Sequence, residues 1–425
     1  MINAVKVITK RECEWIDIKE NCLESLTEKE YAILAAYLKK YYNNRNVLKY
    51  DFKKIMFVNY VGYIQFSDFA IEILPKISLS KTGPSDEDKT DRRALMEMLY
   101  HAGYIKVDIF ENVDVLNVNI SLLDVFASLY ADLVYAEIRR GFYHDYISVE
   151  ENRNTLKGKV IVKGQINNIY RNSPNAYCKF DEFSHDNNLN KIFKAAFKIL
   201  RIFVKNAEIK KKLNDCSNFF DEVDDGGFNP SIINTIVFDR RNERFKTAFI
   251  LAGAILKNLS YANKYERCDG FSFLFEMNDL FEKYVAAIVG NLFVNGEIES
   301  YKIQDRSVYL LKNLFNGDLE INLRPDILIF KDSGAYMIID TKWKSPLDNK
   351  NTLKALSSDL YQMYAYVTRY SEAKKCILLY PFMETDESLT TWEAGHNKII
   401  ELRMIALDTF ERSICDVKTI VQSIK

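Results

Sequence analysis

The sequence predicts a multidomain α+β protein: a strand-rich N-terminal domain, a mainly helical middle region and a C-terminal α/β domain on a mixed sheet. Three observations predict it. A length of 425 residues exceeds one ordinary domain. The hydrophobic period changes along the chain, alternating early, helical in the middle, and helix, strands, helix, strands at the end. A polar stretch bearing Gly83-Pro84 separates the first two regimes. The expected boundaries are 1–93, 94–265 and 266–425.

In the first region, TEKEYAILAAYLKKYY (27–42) opens with Thr27 ahead of Glu30, a capping-box pattern, and carries apolar residues at helical spacing. After it, IMFVNYVGYIQFSDFAIEILPKI alternates and breaks at Gly62 and at Ser67-Asp68, which reads as strand, turn, strand. SLSKTGPSDEDKTDRR (78–93) reads as a solvated linker.

From Ala94 to about Ile138 the pattern is mostly helical. NLNKIFKAAFKILRIFVKN (188–206) and RFKTAFILAGAILKNL (244–259) are amphipathic or buried helices. NDCSNFFDEVDDGGFNP between them reads as a solvated acidic loop, since the spacing of its carboxylates fits no calcium loop. The basic and aromatic residues from Arg139 to Arg171 (Arg140, Phe142, Tyr143, Arg153, Lys157, Lys159, Lys163) suit either a solvated structural role or contact with phosphates or a partner.

The last region runs as a helix (FLFEMNDLFEKYVAAIVGNLF), strands, a helix (TLKALSSDLYQMYAYVTRY) and strands again (KKCILLYPF, KIIELRMIALDT). Within it, RPDILIFKDSGAYMIIDTKWK places Asp326, Asp340 and Lys342 in two apolar runs joined by KDSG. With the turn centred on Ser333, the two aspartates face each other across the hairpin, their Cβ atoms about 5 Å apart. Alternation puts Asp340 and Lys342 on one face. Opposed carboxylates repel unless a cation lies between them, and a hard divalent ion with oxygen ligands, Mg²⁺, suits the pair. Such an ion beside a lysine is equipment for phosphodiester hydrolysis. The plainer alternative is a hairpin with a surface salt bridge. Glu282 lies at the margin of the stripe Met277, Leu280, Phe281, Tyr284 and Ile288, either an ordinary surface glutamate or one that reaches toward the sheet. Gln362 and Tyr366 share a helix face at i and i+4, either a half-buried polar edge or a pair that can hold a phosphate or a metal-bound water.

The remaining bounds are weaker. Lys plus Arg (58) and Asp plus Glu (59) nearly cancel, so any nucleic-acid surface must be local. The seven cysteines form no C-x-x-C pair, which argues against a zinc ribbon and for free thiols in a reducing compartment. Ala248–Leu256, the longest apolar stretch, is too short to span a bilayer, and a soluble cytoplasmic protein is expected. The 13% aromatic content suits large cores better than base-stacking surfaces.

Taken together, FLFEMNDLFEKYV, LRPDILI with IIDTKWK, and YQMYAY resemble the PD-(D/E)xK nucleases, and more narrowly McrC, the nuclease subunit of McrBC-type modification-dependent restriction systems. GYIQFSDFAIEILPKI, NTLKGKV and LNKIFKAAFKIL extend the resemblance over most of the chain. It implies a restriction-endonuclease-like C-terminal domain, with Asp326 and Asp340 as Mg²⁺ ligands together with the backbone carbonyl of Thr341. It also implies Lys342 as the catalytic lysine, Glu282 as the helix acid completing the site, and Gln362 and Tyr366 as accessory groups. The implied partners are an McrB-like AAA+ GTPase hexamer, which binds GTP and receives the N-terminal region, and double-stranded DNA carrying modified cytosine of the 5-methylcytosine type. The chain has no G-x-x-x-x-G-K-[ST] loop, in keeping with nucleotide bound elsewhere. Two other readings stand beside the endonuclease: a non-catalytic activator of the GTPase ring, and a stand-alone RecB-like nuclease.

Overall fold

The computed structural model describes residues 6–20, 22–42, 46–66, 68–77, 79, 87–104, 121–204, 206–224, 229–260, 271–331, 334–346, 357–383 and 390–422. The chain forms two compact units, Met1–Asn119 with Ser272–Lys425, and Ile120–Phe271. The three consecutive segments expected from sequence are therefore drawn differently. The first and last share one unit, because a strand after the middle segment completes the N-terminal sheet.

The N-terminal segment holds β1 (Lys6–Arg11), β2 (Trp15–Asp17), α1 (Glu28–Tyr41), β3 (Leu48–Asp51), β4 (Lys54–Phe57), β5 (Tyr60–Gln65), β6 (Phe69–Leu74) and α2 (Glu87–His101). The capping box of α1 forms as expected, Thr27 accepting from the Glu30 amide and Glu30 from the Thr27 amide, a device typically worth about 1 kcal/mol. The helix seats Leu34 and Tyr37 in a core with Ile64, Phe69 and Ile71. β5 and β6 are buried at every position, so both faces are covered and neither keeps a polar side. Gly62 is not the expected turn. It lies inside β5 at φ +134°, and a Cβ there would stand 1.8 Å from the carbonyl oxygen of Phe273. Only glycine allows this approach. The expected linker is partly helical, since α2 begins at Glu87 and buries Asp91 against Arg11 at 2.7 Å.

The inserted unit contains α3 (Leu122–Arg139), β7 (Asp145–Arg153), β8 (Lys159–Val160), α4 (Val162–Tyr170), β9 (Ala176–Ser184), α5 (Asn188–Phe203), α6 (Ala207–Asn218) and α7 (Lys246–Ser260). Tyr130, Phe193, Phe197, Phe220 and Phe245 fill its core. The sheet β7-β9-β8 interrupts the expected helical region, and the expected acidic loop begins within α6. Two aromatic members of the basic-aromatic stretch are structural, Tyr143 buried and Phe142 packed on Phe220, whereas Arg140 and Arg153 make surface pairs with Glu137 and Glu151.

The C-terminal segment starts with β10 (Phe271–Glu276), which joins the N-terminal sheet in the order β1-β6-β5-β10. The expected first helix is thus strand for its opening residues and becomes α8 (Met277–Val294). Then follow β11 (Ser300–Ile303), β12 (Tyr309–Lys312), β13 (Leu319–Asn322), β14 (Ile327–Lys331), β15 (Gly334–Thr341), α9 (Ser357–Arg369), β16 (Lys375–Pro381), β17 (Thr391–Glu393), β18 (Ile399–Ile405) and α10 (Phe410–Gln422). Six strands form a mixed sheet in the order β11-β14-β15-β16-β18-β17. β14 and β15 are antiparallel, whereas β15, β16 and β18 are parallel. α9 packs Met363 and Val367 on Ile338, Leu378 and Leu402, which fixes it over the face that also carries Asp340. The terminal helix α10, not foreseen from sequence, is tied to α8 by Tyr284 and Ser413 hydroxyls at 2.9 Å. No helix among the described residues is long and apolar enough to cross a membrane.

Candidate active site

The antiparallel ladder runs Ile329↔Met337, Leu328↔Ile338 and Ile327↔Ile339. The next step outward is Asp326 opposite Asp340, the register expected from a turn at Ser333. A bulge between Ile329 and Phe330 shifts the pairing nearer the turn; Asp332 and Ser333 themselves lie outside the described residues. Two details differ from expectation. Asp326 stands one residue before β14 and Lys342 one residue after β15, so both flank strands rather than lie in them. A strand end frees each long or charged side chain from the pleat while the ladder still fixes its base.

Thr341 clamps Asp326 from across the pair: its amide and its hydroxyl each donate to Asp326 Oδ2 at 2.7 Å. Asp340 is 1% exposed, on the sheet face under α9. The Lys342 ammonium lies against Asp340 Oδ2 and donates to Gln362 Oε1 at 3.0 Å. The Gln362 amide donates to the Tyr366 hydroxyl at 2.8 Å, and that hydroxyl donates to the Arg324 carbonyl at 3.0 Å. The i, i+4 spacing on α9 thus builds a relay from the lysine back to the chain just before Asp326.

Charge in this pocket is under strain. Burial, and next the Asp326 carboxylate, push the Asp340 carboxyl from 3.8 up to about 7, against the opposing pull of Lys342. Burial alone would depress Lys342, but Asp340, joined by Asp326 and Asp359, outweighs it and holds the ammonium above its ordinary value. Burial and then Asp326 also raise Glu282, which is within electrostatic reach of Asp326.

Among the described residues, no group of three or more Asp, Glu, His or Cys side chains is disposed to hold a metal. The acidic donor set is the pair Asp326 and Asp340. The buried Oδ2 of Asp340 has the Lys342 ammonium beside it but no hydrogen bond of proper geometry. Two opposed carboxylates, one with an oxygen so placed, fit a small hard cation that keeps several waters. Glu282 is held aside by the Gln304 amide. What Thr341 contributes is its amide and hydroxyl, both spent on Asp326.

Sequence reasoning misses four groups. Asp359, buried in the first turn of α9, accepts from Tyr380 at 3.0 Å and pairs with Lys344 at 2.6 Å, fastening the helix that carries Gln362. Trp343 donates its indole N–H to buried Glu12, whose carboxyl burial pushes up. Gln304 contacts Glu282 and Arg324, and its backbone N–H donates to the Asp326 carbonyl at 2.8 Å. Arg324, directly ahead of Pro325-Asp326, was legible as a basic neighbour of the motif. Gln304 carried no sequence signal, because its left-handed φ of 49° emerges only in the fold.

A family model described as McrBC 5-methylcytosine restriction system component matches residues 55–381. No curated protein matches the chain. Among solved structures, the chain is similar to a refined half-complex from a tetradecameric assembly of Thermococcus gammatolerans McrB AAA+ hexamers with bound McrC. That likeness has a TM-score of 0.76 at 20% identity, covering 99% of this chain and 100% of the other. It is also similar to a cryo-EM structure of the Thermococcus gammatolerans McrBC complex, with a TM-score of 0.52 at 22% identity, covering 68% of this chain and 88% of the other. At these identities the likeness is one of fold.

Proposed function

The chain belongs to the family of McrBC 5-methylcytosine restriction system components, and from that premise we propose that it is the Mg²⁺-dependent DNA endonuclease subunit of a modification-dependent restriction complex. Its C-terminal sheet and helices are read as a restriction-endonuclease-like domain. The observation that carries this reading is the register that sets Asp326 opposite Asp340, with Lys342 beside them. An adaptor has no use for two opposed carboxylates, one of them costly to ionise, next to a half-buried ammonium.

In this reading Asp326 and Asp340 hold the cation, with the Thr341 carbonyl as a further candidate ligand and Glu282 as the acid at the margin. A cation held there would supply Lewis acidity toward the scissile phosphodiester and the attacking water. The chain's own residues do the rest. Thr341 fixes the rotamer of Asp326 through two hydrogen bonds. Lys342, steered by Gln362, offsets charge that develops on the phosphate and orients the water. Tyr366 holds Gln362 in the acceptor orientation that Lys342 requires.

The proposed partners are an McrB-like AAA+ GTPase hexamer, whose GTP turnover this chain stimulates, and double-stranded DNA with modified cytosine. The two similar structures, in which McrC stands with McrB, support the first. The test is cleavage of modified and unmodified plasmid by the chain co-purified with its AAA+ partner, in Mg²⁺ and GTP, for wild type and Asp340→Ala. Cutting that needs Mg²⁺ and vanishes in the variant, while GTP turnover persists, is expected. GTP stimulation without cutting by the wild type would turn the reading to an activator of the ring.

A further inference from the structure

We propose that Arg324, held in place by Gln304, is a DNA-phosphate contact of this centre, an assignment that rests on the endonuclease reading. Glu282 and Asp340 each lie within electrostatic reach of Asp326, and Lys342 is paired with Asp340, so this acidic cluster has little positive charge to spare for a polyanion. Arg324 stands exposed two residues before Asp326. Its carbonyl is fixed by the Tyr366 hydroxyl at 3.0 Å. A guanidinium within electrostatic reach of Glu282 would ordinarily pair with it. Among the described residues no carboxylate lies within 4.0 Å of it, and it donates instead to the amide oxygen of Gln304.

Gln304 is built for that task. Its side-chain amide donates to Glu282 while its oxygen accepts from Arg324, so one neutral group spaces the acid from the base. Its backbone N–H donates to the Asp326 carbonyl at 2.8 Å. It also sits at φ 49°, a left-handed conformation that strains a non-glycine residue. Strain of this kind persists where surrounding contacts over-determine it, and here those contacts lead to three site residues. The exposed guanidinium keeps its planar fork, the geometry that grips a phosphate with two hydrogen bonds.

The test is binding of a fluorescein-labelled DNA duplex by the full chain, followed by anisotropy in EDTA over a series of salt concentrations. Arg324→Ala should flatten the plot of log affinity against log salt by about 0.9, one phosphate contact, and weaken binding roughly 5- to 10-fold at low salt. Arg324→Lys keeps the charge and should restore the slope. An Arg324→Ala chain with the wild-type slope, or a wild-type chain that does not bind duplex DNA, would overturn the assignment. The endonuclease reading is judged separately, by whether the wild type cuts DNA in Mg²⁺. Cutting with an unchanged slope removes only the phosphate contact, and a reduced slope without cutting removes only the nuclease.

Discussion

Replacing Asp326 by asparagine should make the metal-free protein more stable and the nuclease inactive. The new side-chain oxygen can still accept both Thr341 hydrogen bonds, so the substitution removes charge with little change of shape. Asp340 keeps its ion pair with Lys342. What disappears is the repulsion that helps raise the Asp340 carboxyl from 3.8 to about 7. Two charges about 5 Å apart at an effective dielectric of about 20 repel by roughly 3 kcal/mol, an upper bound for the gain. The sign follows from linkage. A carboxyl raised in the folded state binds its proton more tightly there than in the unfolded chain, so stability falls as pH rises from 3.8 towards 7 and levels off above. Urea unfolding in EDTA should therefore place Asp326→Asn about 1–3 kcal/mol above wild type at pH ~8, with the gap closing near pH ~4. Saturating Mg²⁺ should shrink the gap by stabilising wild type alone. A variant no more stable than wild type at the higher pH, or a gap independent of pH, would refute mutual repulsion of the two carboxylates.

Other outcomes follow from the same geometry. Lys342→Ala should lower the cleavage rate of the complex by about 10²–10⁴-fold, read in a plasmid time course, with GTP turnover retained. Tyr366→Phe leaves the Gln362 amide and the Arg324 carbonyl without their shared hydroxyl, and should cost roughly 1–2 kcal/mol in denaturant unfolding. Gly62→Ala drives a methyl to 1.8 Å from the Phe273 carbonyl at a φ of +134°, and should destabilise the unit by about 2–4 kcal/mol in the same assay.

The part of the fold legible in the sequence was the part governed by short-range pattern. Thr27 and Glu30 announce α1, the stripe from Met277 to Ile288 announces the buried face of α8, and KDSG between apolar runs announces the hairpin and its register. Long-range pairing was not legible. Nothing in FSFLFE says that it will pair with β5, far earlier in the chain, so periodicity alone extends the helix back across it and displaces the domain boundaries. Gly62 reads as a turn because glycine marks both turns and close approaches, and only the neighbouring Phe273 decides between them.

The site divides in the same way. The strand period sets the face of Asp340 and the helix period that of Gln362 and Tyr366, both local, while the packing of α9 on the sheet brings them to Lys342. Asp359, Gln304 and Glu12 join through tertiary contacts that no spacing encodes. Asp359 has the look of an ordinary acidic first turn, although it is buried against Lys344 and Tyr380.

Everything proposed for the centre turns on Asp326 and Asp340 forming one cation site, and Mn²⁺ binding tests it most directly. Free Mn²⁺ can be followed by electron paramagnetic resonance as the full chain is titrated, for wild type, Asp326→Asn and Asp340→Asn. Wild type should remove Mn²⁺ from solution, Mg²⁺ should compete for the site, and each single substitution should abolish the binding. Equal binding by all three proteins, or none by the wild type, would contradict a shared site.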